Sequence, residues 1–303
     1  CIQDYSSGRN RYLGYLISLA SHSYKNLKIG LDCANGASWM IANSVFSALG
    51  AHTTVIGAEP DGLNVNENCG STHIEKLCKL VKENHLDVGF AFDGDADRLL
   101  AVDENGKQVD GDEIMAIVGN HMKSQGKLKD NTIVATVMSN LGFFLMGKEN
   151  GVHIEQTKVG DRYVLERMQE IGANLGGEQS GHIIFLDENT TGDGLLSALH
   201  LLQVMVETKK PLSELSKVME VLPQALVNAK VPNHKKDKYM EYPQIAKAIE
   251  ELEAKFAGEG RVLIRPSGTE PKVKVYYSIK GKDLEEASAI KAKIDADIKP
   301  ILK

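Results

Sequence analysis

The chain has 303 residues, enough for two or three domains, and its 42% hydrophobic and 25% charged residues are an ordinary globular mixture. Its net charge of −6 excludes a general affinity for nucleic acid, which needs a basic field. No apolar run approaches the roughly 18 residues of a membrane span, no signal peptide is visible, and four cysteines without CxxC spacing read as reduced thiols of a cytoplasmic protein.

Taken in order, the pattern predicts a short lead-in helix over 9–21 and a buried strand, LKIGLDC (27–33), then an apolar-periodic helix to about Leu49. TTVIG (53–57) is a second strand. A polar loop and a helix near 73–84 lead to the strand DVGFAF (87–92), which runs into FDGDADRL (92–99) and the strand LLAVD (99–103). Strands alternating with helices predict an α/β domain with a mostly parallel sheet. The rhythm then repeats: helix 111–124, strand 131–137, helix 141–150, strand 153–159, and a helix from Asp161, which is placed to cap it. Two short strands around a turn follow in ANLGGEQSGHIIFL (173–186), then a long helix over 192–210 that Pro211 ends. From about Pro223 the pattern becomes strand, charged loop, helix over 241–257, a hairpin over 261–279 and a closing helix.

The expected fold is therefore α/β: two similar α/β domains with mixed, mostly parallel sheets, followed by a small α+β C-terminal domain. Boundaries are placed at 1–108, 109–222 and 223–303.

Asp93, Asp95 and Asp97 alternate with small residues, which lets a loop aim three carboxylates at one point. Oxygen-only ligands suit a hard divalent cation, and the end of a buried strand is where open α/β sheets hold ligands. A solvated acidic turn with Asp97 pairing Arg98 is the plain alternative. An EF-hand fails, because Arg98 stands where that loop needs Gly and the flanks read as strands. An aspartate-nucleophile phosphatase fits poorly, because Asp97 replaces the expected Thr.

GGEQSGH (176–182) carries Glu178, Gln179, Ser180 and His182 on a glycine-flanked turn. Glu and Ser together could bind sugar hydroxyls; a polar hairpin explains the residues equally well. Lys158, in TKVGDRY (157–163), could donate a proton or meet a phosphate, although a surface lysine is the simpler reading. RPSGTEPKVKV (265–275) favours a phosphate site over a bare turn. Arg265 offers a planar fork, Ser267 and Thr269 add hydroxyls, Gly268 lets N–H groups turn to an anion, and Lys274 adds charge. Together these suggest chemistry on a sugar phosphate in a cleft between domains.

FDGDADRL, GEQSGH and RPSGTEP, in this order, resemble the motifs of the α-D-phosphohexomutase superfamily, and LDCANGA (31–37) extends the likeness over essentially the whole chain. The form GEQSGH, with TKVGDRYV before it and TTGDG after it, resembles the bacterial phosphoglucosamine mutases; phosphoglucomutase/phosphomannomutase relatives more often carry Met where Gln179 stands. The resemblance implies four domains and a phosphoserine on the first, which exchanges phosphoryl groups with glucosamine 6-phosphate and glucosamine 1-phosphate through a bisphosphate. It implies that Asp93, Asp95 and Asp97 hold one Mg²⁺, with Arg98 beside the transferring phosphate. Lys158 and His182 become candidates for proton transfer, and Glu178 and Ser180 for holding the sugar. Arg265, Ser267, Gly268, Thr269 and Lys274 would grip the phosphate that is not reacting; Lys274 stands where the family often has Arg and lacks its bidentate fork.

The expected partners are a hexosamine phosphate and the family's phosphoserine domain. Ser21, in LASHSY (19–24), is rejected as that serine: no first domain fits in front of it and the Asn-Pro of the family motif is absent. The chain is thus expected to hold the second to fourth domains and to be inactive alone. Glucose or mannose phosphate as substrate, and a non-catalytic sugar-phosphate or metal binder, are the competing expectations; a homodimer stays open.

Overall fold

A computed structural model of the protein describes residues 6–230, 260–266 and 272–279. The chain divides into two compact units, Cys1–Ser139 with Met146–Met219, and Asn140–Leu145 with Glu220–Lys303.

The first unit contains two sheets built on one plan. Strands β1 (Lys28–Asp32), β2 (His52–Ile56), β3 (Val88–Phe92), β4 (Leu99–Asp103) and β5 (Gln108–Val109) lie in the order β2-β1-β3-β4-β5. β1 pairs parallel with β2 and β3, and β4 turns back antiparallel on β3. Strands β6 (Thr132–Thr136), β7 (His153–Thr157), β8 (Leu175–Gly177) and β9 (Ile183–Phe185) repeat this as β7-β6-β8-β9, with only β9 antiparallel. The central strands β3 and β6 are buried along their whole length, which is why they read as unbroken apolar runs. In both sheets a motif loop joins the third strand of this order to the fourth: the aspartates sit between β3 and β4, and GEQSGH sits between β8 and β9. That equivalence has no counterpart in residue identity, so the sequence does not display it.

Helix packing follows the apolar spacing. Helices α1 (Ser6–Leu19) and α2 (Ala42–Ala48) precede β2. Helix α3 (Glu75–Glu83) sets Leu77 and Val81, one turn apart, into a cluster with Leu86, Ala91 and Val102. After α5 (Leu141–Asn150), helix α6 (Asp161–Ile171) sets Val164 and Met168 against Val134 and Ile184 in the same way. Helices α4 (Gly111–Ser124) and α7 (Gly194–Thr208) behave differently. α4 packs on β4 and β8, and α7 on β4 and β9, so each serves both sheets. Residues Gly111–Gly119 of α4 are accordingly all buried. A helix clasped on two sides has little room for a polar face, hence the near-continuous apolar run GLLSALHLL at the start of α7.

Three local expectations change. Asp161 is the first residue of α6 rather than its cap; Gly160 takes that place, with φ 131°. The short β5 is not foreseen, because two residues carry no periodicity. Pro211 ends the α7 run but also opens a one-turn helix, α8 (Leu212–Leu215).

In the second unit, β10 (Gln224–Lys230), β11 (Gly260–Pro266) and β12 (Lys272–Ile279) form an antiparallel sheet ordered β10-β12-β11. The β11–β12 hairpin matches the strands expected around RPSGTEP. Its register sets Arg265 opposite Lys274. The helices expected over 241–257 and after the hairpin lie outside the described residues, as do Ser267, Gly268 and Thr269.

Candidate active site

The aspartate loop is fixed by its backbone before its carboxylates do anything. Phe92 pairs with Leu99, so residues 93–98 must turn within six positions, and Ala96 takes φ 61° to do it. Arg98 N–H donates to Asp93 Oδ1 at 3.1 Å. Ala37 N–H, from LDCANGA, donates to Gly94 O at 2.8 Å, and a Cβ on Gly36 would fall 2.3 Å from that same oxygen. The turn of LDCANGA thus lies directly on the loop, which gives that motif a physical reason to be glycine-bearing.

The result is three carboxylate oxygens, from Asp93, Asp95 and Asp97, within 4.8 Å of one another. Asp93 is buried, Asp97 half-buried and Asp95 exposed. Arg98 supplies little compensation: its Nε lies 3.8 Å from Asp93 and 3.9 Å from Asp97, and the side chain is 44% exposed. Burial, then the hydrogen-bonded Asp97 carboxylate, pushes Asp93 up to about 7. A hard-oxygen donor set carrying this much uncompensated charge fits a divalent cation. The flanks are strands, as the rejection of an EF-hand requires.

This has a measurable consequence. A carboxyl raised in the native state contributes stability below its unfolded value, near 4, and loses it as pH rises through its native value, about 7. Glu113, buried in the first turn of α4 and also pushed up to about 7, acts with the same sign. The metal-free chain is therefore expected to melt lower at about pH 8 than at about pH 5, and Mg²⁺ to recover stability at the higher pH only. Thermal melts with and without Mg²⁺ check this; a Mg²⁺ effect of equal size at both pH values would contradict it.

The GEQSGH turn meets the aspartate loop directly. Leu99 N–H donates to Gly181 O at 3.0 Å, and Arg98 and His182 form an isolated antiparallel bridge. Gly181 has φ 95°, and a Cβ there would lie 2.1 Å from Leu99 O. His182 Nδ1 lies 2.9 Å from Asp97 Oδ2. The structure thus brings Asp93, Asp95, Asp97, Arg98 and His182 into one place. Glu178 and Ser180 sit on the same turn, Ser180 exposed and Glu178 half-buried. Gly160 N–H donates to Glu178 Oε1 at 3.0 Å, which ties TKVGDRY to the GEQSGH turn. Lys158 is exposed on that strand end, 6.0 Å from the Tyr163 ring. For Arg265 and Lys274 only the strand register is described.

Several further contacts surround the site. Gln179 Nε2 donates to Asp110 Oδ2 at 3.0 Å, and Asp110 forms a capping box with Glu113 at the start of α4. The glycines of TTGDG lie against the site: Gly192 N–H donates to His182 Nε2 at 3.1 Å, and Gly194 N–H to Ala96 O at 2.9 Å. Asp95 and Asp97 line a cleft with Tyr12, Ser38 and Asp193. Ser21, by contrast, lines a separate cleft with His121 and Asn174 and bonds to His22.

Residues 10–106 match the family domain described as phosphoglucomutase/phosphomannomutase, alpha/beta/alpha domain II; residues 110–222 match domain III and residues 226–296 the C-terminal domain. The chain is 58% identical over 279 residues to a phosphoglucosamine mutase of Acetivibrio thermocellus, covering 92% of this chain and 62% of that protein. It is 54% identical over 272 residues to the phosphoglucosamine mutase of Clostridioides difficile, covering 90% and 60%. The chain thus spans about three fifths of the length of these curated relatives. Among solved structures it resembles Aspergillus fumigatus N-acetylphosphoglucosamine mutase in complex with GlcNAc-6P and magnesium, with a TM-score of 0.77 at 19% identity, over 97% of this chain and 65% of that one. A phosphoglucomutase/phosphomannomutase family protein of Burkholderia thailandensis gives 0.76 at 23%, over 97% and 64%; both likenesses bear on the fold. The order of matched domains and the loops they bring together assign this chain to the phosphoglucomutase/phosphomannomutase family.

Proposed function

We propose that this chain, with the family's phosphoserine-bearing domain, interconverts glucosamine 6-phosphate and glucosamine 1-phosphate through a bisphosphate intermediate. The observation that carries the reading is the junction of the aspartate loop with the sugar loop, through Leu99 and Gly181 and through Asp97 and His182. A metal site hydrogen-bonded to a polyol-binding turn suits phosphoryl transfer to a sugar hydroxyl. Gln179 in GEQSGH, together with relatives named phosphoglucosamine mutase at 54–58% identity, supports the amino sugar over glucose or mannose.

In this reading Asp93, Asp95 and Asp97 hold one Mg²⁺ per chain. When bound, the ion supplies positive charge against the transferring phosphoryl oxygens, where most of the catalysis of such transfers arises. Arg98, exposed beside the loop, adds a planar fork to the same phosphate. Glu178 and Ser180 orient the sugar, and Lys158 carries the proton of the attacking or leaving hydroxyl. Arg265, Ser267, Gly268, Thr269 and Lys274 grip the second phosphate, so that turning the sugar end over presents either phosphate to the metal. The free thiols of Cys33, Cys69 and Cys78 suit a cytoplasmic setting. Among the described residues no helix is long and apolar enough to cross a membrane.

Comparing kcat/KM for glucosamine, glucose and mannose phosphates tests the substrate class in the full-length protein. The reading expects glucosamine phosphate to lead by at least about tenfold, a difference worth about 1.4 kcal/mol in the transition state. A lead for glucose or mannose phosphate would contradict it.

A further inference from the structure

The His182 ring is the least accessible polar side chain of the junction, 3% exposed, and both of its nitrogens are engaged. Gly192 N–H lies 3.1 Å from Nε2. A backbone N–H can only donate, so Nε2 accepts. The neutral imidazole then carries its proton on Nδ1, the atom 2.9 Å from Asp97 Oδ2. We infer that His182 is a positioning residue for the metal loop: its Nδ1–H holds Oδ2 of Asp97 so that the three aspartates face one point, and Gly192 fixes the tautomer that allows it.

The surroundings are built for this. A Cβ on Gly192 would fall 2.5 Å from His182 Cε1 and 2.6 Å from Nδ1, so only glycine brings the N–H onto the ring. The next residue, Asp193, holds that glycine in place: its Oδ1 accepts from Leu196 N–H at 3.0 Å, and its Oδ2 from the Tyr12 hydroxyl at 2.7 Å. A partly buried chain of contacts therefore runs from α1 through the start of α7 to a carboxylate of the candidate metal site. Metal ligands oriented by an outer partner in this way lose about 10–100-fold in affinity when that partner is removed. His182 also closes the base of its own turn, because its carbonyl accepts from Glu178 N–H at 2.9 Å.

The inference rests on the aspartate loop being a metal site, and Mn²⁺ binding to the full chain, followed by calorimetry and by electron paramagnetic resonance, separates the two. Asn places its amide where His places Nδ1, whereas Gln places it where His places Nε2. His182→Asn should bind Mn²⁺ within about threefold of the parent, and His182→Gln about tenfold more weakly or worse. Gly192→Ala, which leaves His182 in place but crowds its ring, should weaken binding similarly. In the parent, ¹⁵N–¹H correlation of the imidazole should show the proton on Nδ1; this readout and Gly192→Ala decide the matter if His182→Gln does not fold. Parent-like Mn²⁺ affinity in a folded His182→Gln, or a proton on Nε2, would overturn the inference while leaving the metal site standing. No Mn²⁺ binding by the parent would overturn both.

Discussion

Asp95→Asn is expected to lower kcat for glucosamine phosphate interconversion by about a thousandfold in the full-length protein, while leaving the fold intact. Asp95 is exposed, yet its carboxylate lies within 4.8 Å of those of Asp93 and Asp97. An exposed acidic residue with no task would change stability by about 0.5 kcal/mol or less and activity not at all. A metal ligand behaves otherwise. Weakening the cation's hold removes several kcal/mol of charge stabilisation at the transferring phosphate, and about 4 kcal/mol corresponds to a thousandfold in rate. Stability should move in the opposite direction. The Asp95 charge helps to push Asp93 up, so its removal relieves repulsion and should raise the melting temperature of the metal-free chain near neutral pH. Activity and melting temperature measured on one preparation check both halves. A variant that stays active, or that melts lower and loses activity together, would contradict the assignment.

Gly181→Ala is expected to cost about 3 kcal/mol or more and to abolish activity beyond what its instability explains. Two causes contribute. The backbone φ of 95° strains any L side chain, and the added Cβ would lie 2.1 Å from Leu99 O, 2.8 Å from Leu99 C and 3.0 Å from Leu99 N. All three are backbone atoms, so no rotamer change relieves the contact. Gly62 gives the control: its φ is 89°, but nothing lies within 4 Å of its Cβ position. Gly62→Ala should therefore cost only about 1–2 kcal/mol of backbone strain. Denaturant melts of the two variants isolate the contact between the loops as the difference between them. Equal losses would mean that the Gly181–Leu99 approach carries no energy of its own.

Much of the site is legible in the order of residues alone. The alternation of apolar strands and periodic helices specifies the α/β layers. DVGFAF and LLAVD are the strands that carry the aspartate turn, and RPSGTEP marks a hairpin whose strands pair Arg265 with Lys274. What escapes a linear reading is long-range. His182 reaching Asp97, and Gln179 reaching Asp110, join residues 85 and 69 positions apart, and nothing local in GEQSGH announces either partner. TTGDG is visible as a run of turn residues, but Gly192 matters because of the space that His182 takes from it. His182 reads as a candidate for proton transfer from its residue type and loop; its burial and its two ring partners, Asp97 and Gly192, are visible only in the fold. Asp161 reads as a cap by position, yet Gly160 already makes the turn into α6. Helices α4 and α7 are legible as helices, but that each serves two sheets is a property of the assembled unit.

The central claim is that this junction of carboxylates and sugar loop works as the metal-dependent half of a glucosamine phosphate mutase. The most direct test follows ³¹P resonances of glucosamine 6-phosphate incubated with the phosphorylated full-length protein, with Mg²⁺ and then with excess chelator. The account predicts that the glucosamine 1-phosphate signal grows to equilibrium with Mg²⁺, stops on chelation and resumes when Mg²⁺ is restored. No conversion with Mg²⁺, or conversion at an undiminished rate after chelation, would contradict it.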